Sequence, residues 1–537
     1  MIDGTYSILY IDAGNGYYPV GNLVSNSFSE DVDTIDSTTR DNAGWKTQTL
    51  TNQSYNIDFS GIVSNVTSAS KINYNTIRDL KRNRQIIDWK IEDNQLNIER
   101  GKAQITSLSN EANIDEFVTF SASLQGYGSL VTNYFKFQVT TSNTGTSNND
   151  QFSLPLTSGF TDNIKVYWGD DTSSNITSYN QSEVTHTYPT AGTYTIKILG
   201  AITAGWQFGS IGDCLKMGDI ANFGGFSCIA ANIFAGCANM TSIGSDVDFL
   251  NQATNLGAYF SNCGLTSLPS TLTLANLTIG YNMFEGNSLT SLPSGMALAN
   301  LTYGINMFKN NSLTSLSAVM TLASLTDGSY MFEGNSLTSL PSVMTLASLT
   351  NGTYMFRYNS LTSLPSVMTL ASLTDGRVMF DGNSLTSLPS VMTLPNLVTS
   401  YYMFNNNSLT SLPSGMILAN VTSAAWMFKD NSLTALPSVM TFASLTSGSS
   451  VFSNNSLTDL PSGITFSNIT DGTNLLLGNT INTTRYSQLL IDIENLNSNN
   501  SFSFHGGNSQ YNASGQTARN ILTTSPRYVT ITDGGLA

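Results

Sequence analysis

The stretch NSLTSLPSVMTLASLTNGTYMFRY, Asn335 to Tyr358, is one unit of a 24-residue repeat. Laid on itself at that period, the chain aligns Phe260, Phe284, Phe308, Phe332, Phe356, Phe380, Phe404, Phe428 and Phe452, with Leu476 taking the place in the last copy. Leu265, Leu289, Leu313, Leu337, Leu361, Leu385, Leu409, Leu433 and Leu457 fall in step, each followed three residues later by a second leucine. A strict period of this length predicts a solenoid, because one unit cannot bury its apolar face and stacked neighbours can. The predicted inward positions are the two leucines, the Val343-Met344 pair, residues of the Leu298 and Leu301 type, and the phenylalanine. An asparagine recurs without a break as Asn287, Asn311, Asn335, Asn359, Asn383, Asn407, Asn431, Asn455 and Asn479. A buried asparagine column implies a folding role, in which the amides satisfy backbone groups at a turn.

Two columns vary and are expected to face solvent. The residue after the phenylalanine runs Glu285, Lys309, Glu333, Arg357, Asp381, Asn405, Lys429, Ser453. At a strand spacing of about 4.8 Å like charges there would repel, and the sequence nearly alternates their sign. Exposed pairs of this kind contribute little each. The residue two before the phenylalanine runs Asn282, Asn306, Tyr330, Tyr354, Val378, Tyr402, Trp426, Ser450. Tyr330, Tyr354, Tyr402 and Trp426 are read in two ways: a face on which sugars of a host surface stack, or a packing ladder that covers the core.

At 537 residues the chain is too long for one core, so several domains are expected. Only 11% of residues are charged, which suits a β-rich structural protein better than a cytosolic enzyme. A net charge of −15 argues against wrapping nucleic acid with basic patches and is compatible with an acidic channel along which DNA slides. Cys214, Cys228, Cys237 and Cys263 gather around the start of the repeats without a CxxC pair. They are read as small buried thiols, with one disulfide as the alternative. His186 and His505 are too few and too distant to complete a metal site. With no phosphate loop and no nucleophile–base pair either, the sequence predicts no enzyme, no metal and no cofactor. MIDGTYSILYIDAGNG lacks the basic and apolar regions of a signal peptide, and no apolar run approaches the ~20 residues a bilayer needs. The expectation is a particle assembled inside the cell, without membrane contact.

Residues 1–140 alternate polar and apolar positions in YSILYID, SYNIDFSGIV, QIIDWKIE, KAQITSLS and FVTFSASLQGYG, which predicts half-buried antiparallel strands. The exception is Tyr74 to Lys81, where Tyr74, Ile77 and Leu80 recur at helical spacing. The composite is a β-sandwich or barrel with one helix laid on it.

The order of these pieces resembles the major tail tube protein of long-tailed bacteriophages. The resemblance rests on the polar hairpin SFSEDVDTIDSTTRDNAGWKTQTL (Ser27 to Leu50), the strand SYNIDFSG, the basic helix end from Arg78 to Arg84, and GKAQITSLSNEANIDEFVTFSASLQGYGSL (Gly101 to Leu130). It covers about a quarter of the chain. It implies subunits that close into hexameric rings, stacked as a hollow tube in the virion tail and assembled in the host cytoplasm. The implied partners are further copies of the chain, the tape measure, terminator and distal tail proteins, and genomic DNA that passes through the lumen without specific binding. A closed ring pairs every strand edge, and a hairpin of this length needs a partner to order it, which makes it the expected inter-ring contact. Glu30, Asp31, Asp33 and Asp36 belong either to a solvated loop or to a lumen or inter-ring surface that meets Arg78, Lys81, Arg82 or Arg84 of the next ring. Four basic residues without interleaved aromatics do not make a nucleic-acid site.

TTSNTGTSNND, at residues 140–150, reads as a flexible linker. Beyond it WGDDT, HTY and GTYTIKI resemble a polycystic-kidney-disease-type Ig-like module, short enough to share its core with the first repeats. His186 is a structural residue of the HTY strand. The repeats resemble leucine-rich repeats of bacterial surface proteins. After Asn479 the period fails, and TTRYSQLLIDIENL and SGQTARNILTT read as helices, SFSFHGG and RYVTITDGG as strands. His505 there has no partner for chemistry.

The expected architecture is thus mainly β: a tail tube domain (1–140), a linker (141–150), an Ig-like β-sandwich (151–200), a leucine-rich-repeat solenoid (201–480) and an α/β cap (481–537). The expected function is a structural virion protein, the major tail tube subunit with an outward-projecting repeat decoration. The alternative is a phage or bacterial adhesin whose solenoid binds host-cell glycans or proteins.

Overall fold

The computed structural model describes residues 8–13, 17–36, 48–63, 71–92, 98–112, 117–132 and 134–537. Period-two alternation in the N-terminal part yields β1 (Ile8–Asp12), β2 (Tyr17–Pro19), β3 (Leu23–Asp36), β4 (Gln48–Ile62), β5 (Ile86–Glu92), β6 (Ile98–Glu111) and β7 (Thr119–Thr132). They form one antiparallel sheet in the order β2-β1-β5-β6-β7-β4-β3. Helix α1 (Tyr74–Arg82) packs against β6. Its N-terminus is capped by Asn73, whose Oδ1 accepts from the Thr76 amide at 3.0 Å.

Neither the expected sandwich nor a closed barrel forms: among the described residues this sheet is single and open, with β2 and β3 at its edges. One apolar face needs only one covering layer. Ile72, Ile77 and Leu80 supply it over Leu9, Ile57, Phe59, Trp89 and Leu124. Gly101 and Gly126 lie beneath Tyr55, where an added Cβ would come within 2.5 Å of its hydroxyl and ring respectively. The two glycines therefore admit the aromatic side chain that locks β4 over β6 and β7.

A second core begins at Phe135. Strands β8 (Phe135–Thr140), β9 (Gln151–Ser153), β10 (Ile164–Tyr167), β11 (Ser173–Ile176), β12 (Thr185–Thr187), β13 (Thr193–Leu199) and β14 (Met217–Asn222) make a five-stranded sheet, β11-β10-β13-β8-β14, and a separate β9–β12 pair. Strand β8, expected in the first domain, therefore lies inside the second sheet. Its Phe135, Phe137 and Val139 are fully buried there.

Residues 141–150 are not a flexible connection. Asp213, 2% exposed, accepts from the amides of Thr146 and Ser147 at 3.0 Å and of Ser153 at 2.8 Å. Lys216, 1% exposed, donates to the carbonyls of Ser147, Asn148 and Gln151 at 2.7–3.0 Å. The loop carries no apolar anchor of its own, so two buried charges from a distant segment hold it instead.

From Asn255 onward each copy adds one single-residue parallel bridge, Asn255↔Ile279↔Tyr303↔Asp327 and so on to Asp471. The phenylalanine rings from Phe234 to Phe452 stack 5.5–5.9 Å apart and within 12° of parallel. Both methionines of the unit, of the Met344 and Met355 type, are fully buried. The valine of the Val343-Met344 pair is not: Val319, Val343, Val367 and Val391 are 43–49% exposed. The turn at this point can direct only one of two neighbouring side chains inward, and methionine takes the place.

Short helix α2 (Asp248–Gln252) lies among the first copies, and the far end is closed by α3 (Thr483–Leu496), β15 (Ser503–His505), α4 (Ala513–Thr523) and β16 (Thr530–Thr532). Phe504 of β15 bridges Gly472, so the cap continues the parallel column and covers its last carbonyls.

Candidate functional site

In the N-terminal sheet the long β3–β4 hairpin forms one edge. Its ladder runs from Leu23↔Gly61 to Asp36↔Gln48, with β3 as the outer strand. Glu30, Asp31 and Asp36 pair with Tyr55, Ser54 and Gln48, and Asp33 falls at an irregularity of the ladder. The four acids are thus strand residues and not a loop; their side chains, and the hairpin tip at 37–47, lie outside the described residues. Of the basic set, Lys81 and Arg82 close the last turn of α1, where cations oppose the helix dipole favourably. Arg78 Nε lies 3.9 Å from Asp79, and Arg84 follows the helix in a left-handed conformation. Within the chain β7 and β4 separate β3 from β6, against which α1 packs, so the two charged sets belong to different parts of the sheet.

The asparagine column is a hydrogen-bond device. Asn359 Oδ1 accepts from the Leu337 amide at 3.0 Å, and its Nδ2 donates to the carbonyls of Phe332 (2.9 Å) and Phe356 (3.2 Å). One side chain thereby joins two successive copies. The same contacts recur at Asn287, Asn311, Asn335, Asn383, Asn407, Asn431, Asn455 and Asn479, with Leu476 in place of the phenylalanine in the last.

The charged column interlocks across copies. Glu333 takes Lys309 at 3.1 Å and Arg357 at 3.4 Å, Arg357 also takes Asp381 at 3.2 Å, and Asp381 accepts from Asn405 at 2.7 Å. Lys429 departs from the pattern and pairs with Asp430 of its own copy.

Beside it runs the aromatic stripe. Tyr330 and Tyr354 stack at 4.6 Å, and Tyr402 and Trp426 at 4.9 Å, all four half-buried. Val378, 4% exposed, stands between the two pairs. An open groove of about 620 Å³ lies there, bordered by Tyr354, Arg357, Tyr358, Val378, Asp381 and Tyr402. The Arg357 guanidinium lies 4.0 Å from the Tyr358 centroid and 5.1 Å from that of Tyr354. Sequence reasoning missed Tyr358, although the signal was there. It occupies a left-handed position (φ 53°) that other copies fill with Gly286, Asn310, Gly334, Gly382, Asn406 and Asp430, and only glycine, asparagine and aspartate take that conformation readily.

The histidines and cysteines have structural surroundings. His186 Nε2 meets Asp170 at 2.8 Å, and its ring stacks on Trp168 at 4.6 Å. Burial pushes Asp170 up, but hydrogen bonds from Thr172 and His186 outweigh it and hold the carboxyl below its ordinary value. His505 Nδ1 accepts from the Gly507 amide at 3.0 Å, and burial pushes the ring pKa down. The four cysteines are buried and free, and burial pushes the Cys263 thiol up to about 12, so it stays protonated and unreactive.

Residues 1–132 match the family model described as phage tail tube protein. No curated protein matches the chain. Among solved structures it is similar to the tail of an empty gene transfer agent particle with C6 symmetry, at 16% identity over 25% of this chain and 98% of that one (TM-score 0.22). It is similar to the SPP1 tail tube at 13% identity over 24% and 77% (TM-score 0.21), and to the Drosophila Toll–Spätzle complex at 14% over 62% and 52% (TM-score 0.33). The match takes in the seven-stranded sheet with its long hairpin, and the residues that follow lie outside it.

Proposed function

We propose that this chain is a tail tube subunit whose N-terminal sheets close into hexameric rings, stacked around a lumen that conducts DNA without binding it specifically. The family match carries the reading, because it spans the whole first sheet and stops where the second core begins. An open sheet with a 14-residue edge strand supports it: such an edge invites pairing unless it is covered, and ring closure covers it. In this reading Glu30, Asp31, Asp33 and Asp36 on the hairpin meet Arg78, Lys81, Arg82 or Arg84 of the adjacent ring. The tube ends contact tape measure, terminator and distal tail proteins, and the solenoid projects outward in the virion tail. Negative-stain electron microscopy of the purified full chain tests this. Hollow tubes of stacked rings support it, and a monomer that persists at every protein concentration overturns it.

A second reading is favoured by the half-exposed pairs Tyr330–Tyr354 and Tyr402–Trp426. The solenoid would act as an adhesive surface for host glycans, whether carried on a tube or elsewhere. Unchanged adsorption to host cells after substitution of Tyr330, Tyr354 and Trp426 by Ala would sink it.

A further inference from the structure

We propose that the outer face of the five-stranded sheet β11-β10-β13-β8-β14 docks a phosphorylated polysaccharide through Lys136, Lys165 and Lys197. The proposal is independent of ring assembly and of the aromatic stripe on the repeats.

Alternation divides these strands cleanly. Phe135, Phe137, Val166, Ile196 and Ile198 are buried on the inner side. The residues between them, Lys136, Lys165, Tyr167 and Lys197, point the other way and are exposed or half-buried. The ladder sets Tyr167 opposite Lys197 and Lys197 opposite Lys136, so three strands bring a phenol and two ammonium groups into one row. Lys165 lies on the same face, two residues before Tyr167. Its Nζ is 5.0 Å from the Tyr167 ring centroid, and Lys197 Nζ is 6.0 Å from that of Tyr134.

Folding does not account for these cations. Like charges directly opposite each other destabilise a sheet, because their Cβ atoms are about 4.5–5.5 Å apart, and Lys136 faces Lys197 in this way. Elsewhere from residue 134 onward every lysine and arginine is engaged by a carboxylate or by backbone carbonyls, as Lys309 is by Glu333 and Arg527 by Glu494 and Asn497. Lys136, Lys165 and Lys197 are the exceptions: no carboxylate of the described residues lies within ion-pair distance of them. In a chain of net charge −15, three uncompensated cations on one sheet face point to an anionic partner.

The chemistry of the face selects among anions. All three cations are lysine, a point charge that takes a phosphate from any direction, and none is the arginine whose planar fork pairs with a carboxylate. The tyrosines do not form a platform for nucleobases. Tyr134 and Tyr167 stand edge to face, 6.2 Å apart at 78°, and each has a lysine over its ring, so the rings place ammonium groups. No large apolar side chain is exposed on this face to enter a lipid surface. Ser173 and Asn175 lie opposite Tyr167 and Lys165, and Gln138 lies opposite Thr195 in the next row. Hydroxyl and amide groups thus flank the lysines, which suits a phosphate carried between hydroxyl-bearing sugars.

Fluorescence polarisation on the full chain tests this, with labelled dextran phosphate, unmodified dextran, poly-L-glutamate and an oligothymidylate as probes. Dextran phosphate is expected to bind, more weakly as salt is raised, and unmodified dextran is not. Lys136→Gln with Lys197→Gln should weaken binding about tenfold or more and leave the unfolding temperature equal or higher, since a like-charge contact is removed. Lys71→Gln, at an exposed position outside this sheet, should leave binding unchanged. Failure of dextran phosphate to bind overturns the proposal, as does equal binding of unmodified dextran. So does binding that survives the double substitution or falls equally in Lys71→Gln. A lower unfolding temperature in the double variant assigns the lysines to folding and also counts against it. Equal or tighter binding of poly-L-glutamate gives the face to an acidic protein segment, and tighter binding of the oligothymidylate gives it to nucleic acid; either result overturns the proposal.

Discussion

At the scale of single residues, the buried charges decide most. Lys216 has no apolar substitute, because three backbone carbonyls and the Ser147 hydroxyl converge on its ammonium. Lys216→Met removes those donors, leaves the acceptors buried without them, and takes the positive charge away from the neighbourhood of Asp213. The expected cost is about 3–5 kcal/mol, read from the shift of the unfolding transition in urea. The Asp170–His186 contact gives a pH signature. A carboxyl held below its unfolded value stabilises the fold above that value and loses the contribution as pH falls through its folded one. Stability should therefore hold from neutral pH to about pH 4 and decline below it, and Asp170→Asn should flatten the decline in thermal melts taken between pH 3 and 6.

At the scale of elements, the stacked copies are held by columns. Each asparagine replaces several backbone partners that a turn would otherwise leave empty. Asn359→Ala leaves the Leu337 amide and two phenylalanine carbonyls short of a partner in a buried place, an expected loss of about 2–4 kcal/mol. Asn431→Ala should cost less, because its surroundings are half-exposed and water can enter; paired calorimetric scans of the two variants check the order. On the N-terminal sheet, the proposed inter-ring pairing predicts that Arg82→Glu with Arg84→Glu shortens or abolishes tubes, while Asp31→Lys with Asp33→Lys in the same chain restores them. Micrographs of the four-residue variant without tubes would contradict that pairing.

At the scale of the whole molecule, the chain divides between Leu124 and Phe135, since the two apolar cores share no residue. Removal of residues 1–132 should leave the unfolding temperature of the remainder unchanged. Removal of 1–140 takes away β8, which sits between β13 and β14, and should lower that temperature sharply; differential scanning calorimetry of the two truncations separates them. The tail tube family match ends at residue 132, on the same side of this division.

What the sequence by itself determined was most of what repeats or alternates, with the Val343-type position and the sheet of β8 as exceptions. The 24-residue period, the phenylalanine and asparagine columns, β1 and β4 to β7 of the first sheet, α1 and the order of elements in the cap were legible, because regular spacing forces regular environments, whereas β2 and the strand character of the acidic stretch in β3 were not. Tyr358 was legible in principle, as the one aromatic in a column of glycine, asparagine and aspartate. Tertiary structure alone decided three things. It assigned β8 to the second sheet, since a strand's alternation does not name its partner. It pinned residues 141–150, since the charges that hold them lie some seventy residues away. It placed Leu298, Tyr354 and their equivalents in left-handed backbone, a choice no local preference would make and which the stacked copies impose by burying the Leu298-type residues and the phenylalanines together. The first sheet stayed open for a related reason: among the described residues one helix covers its apolar face, and no further strand pairs with β2 or β3 at its edges.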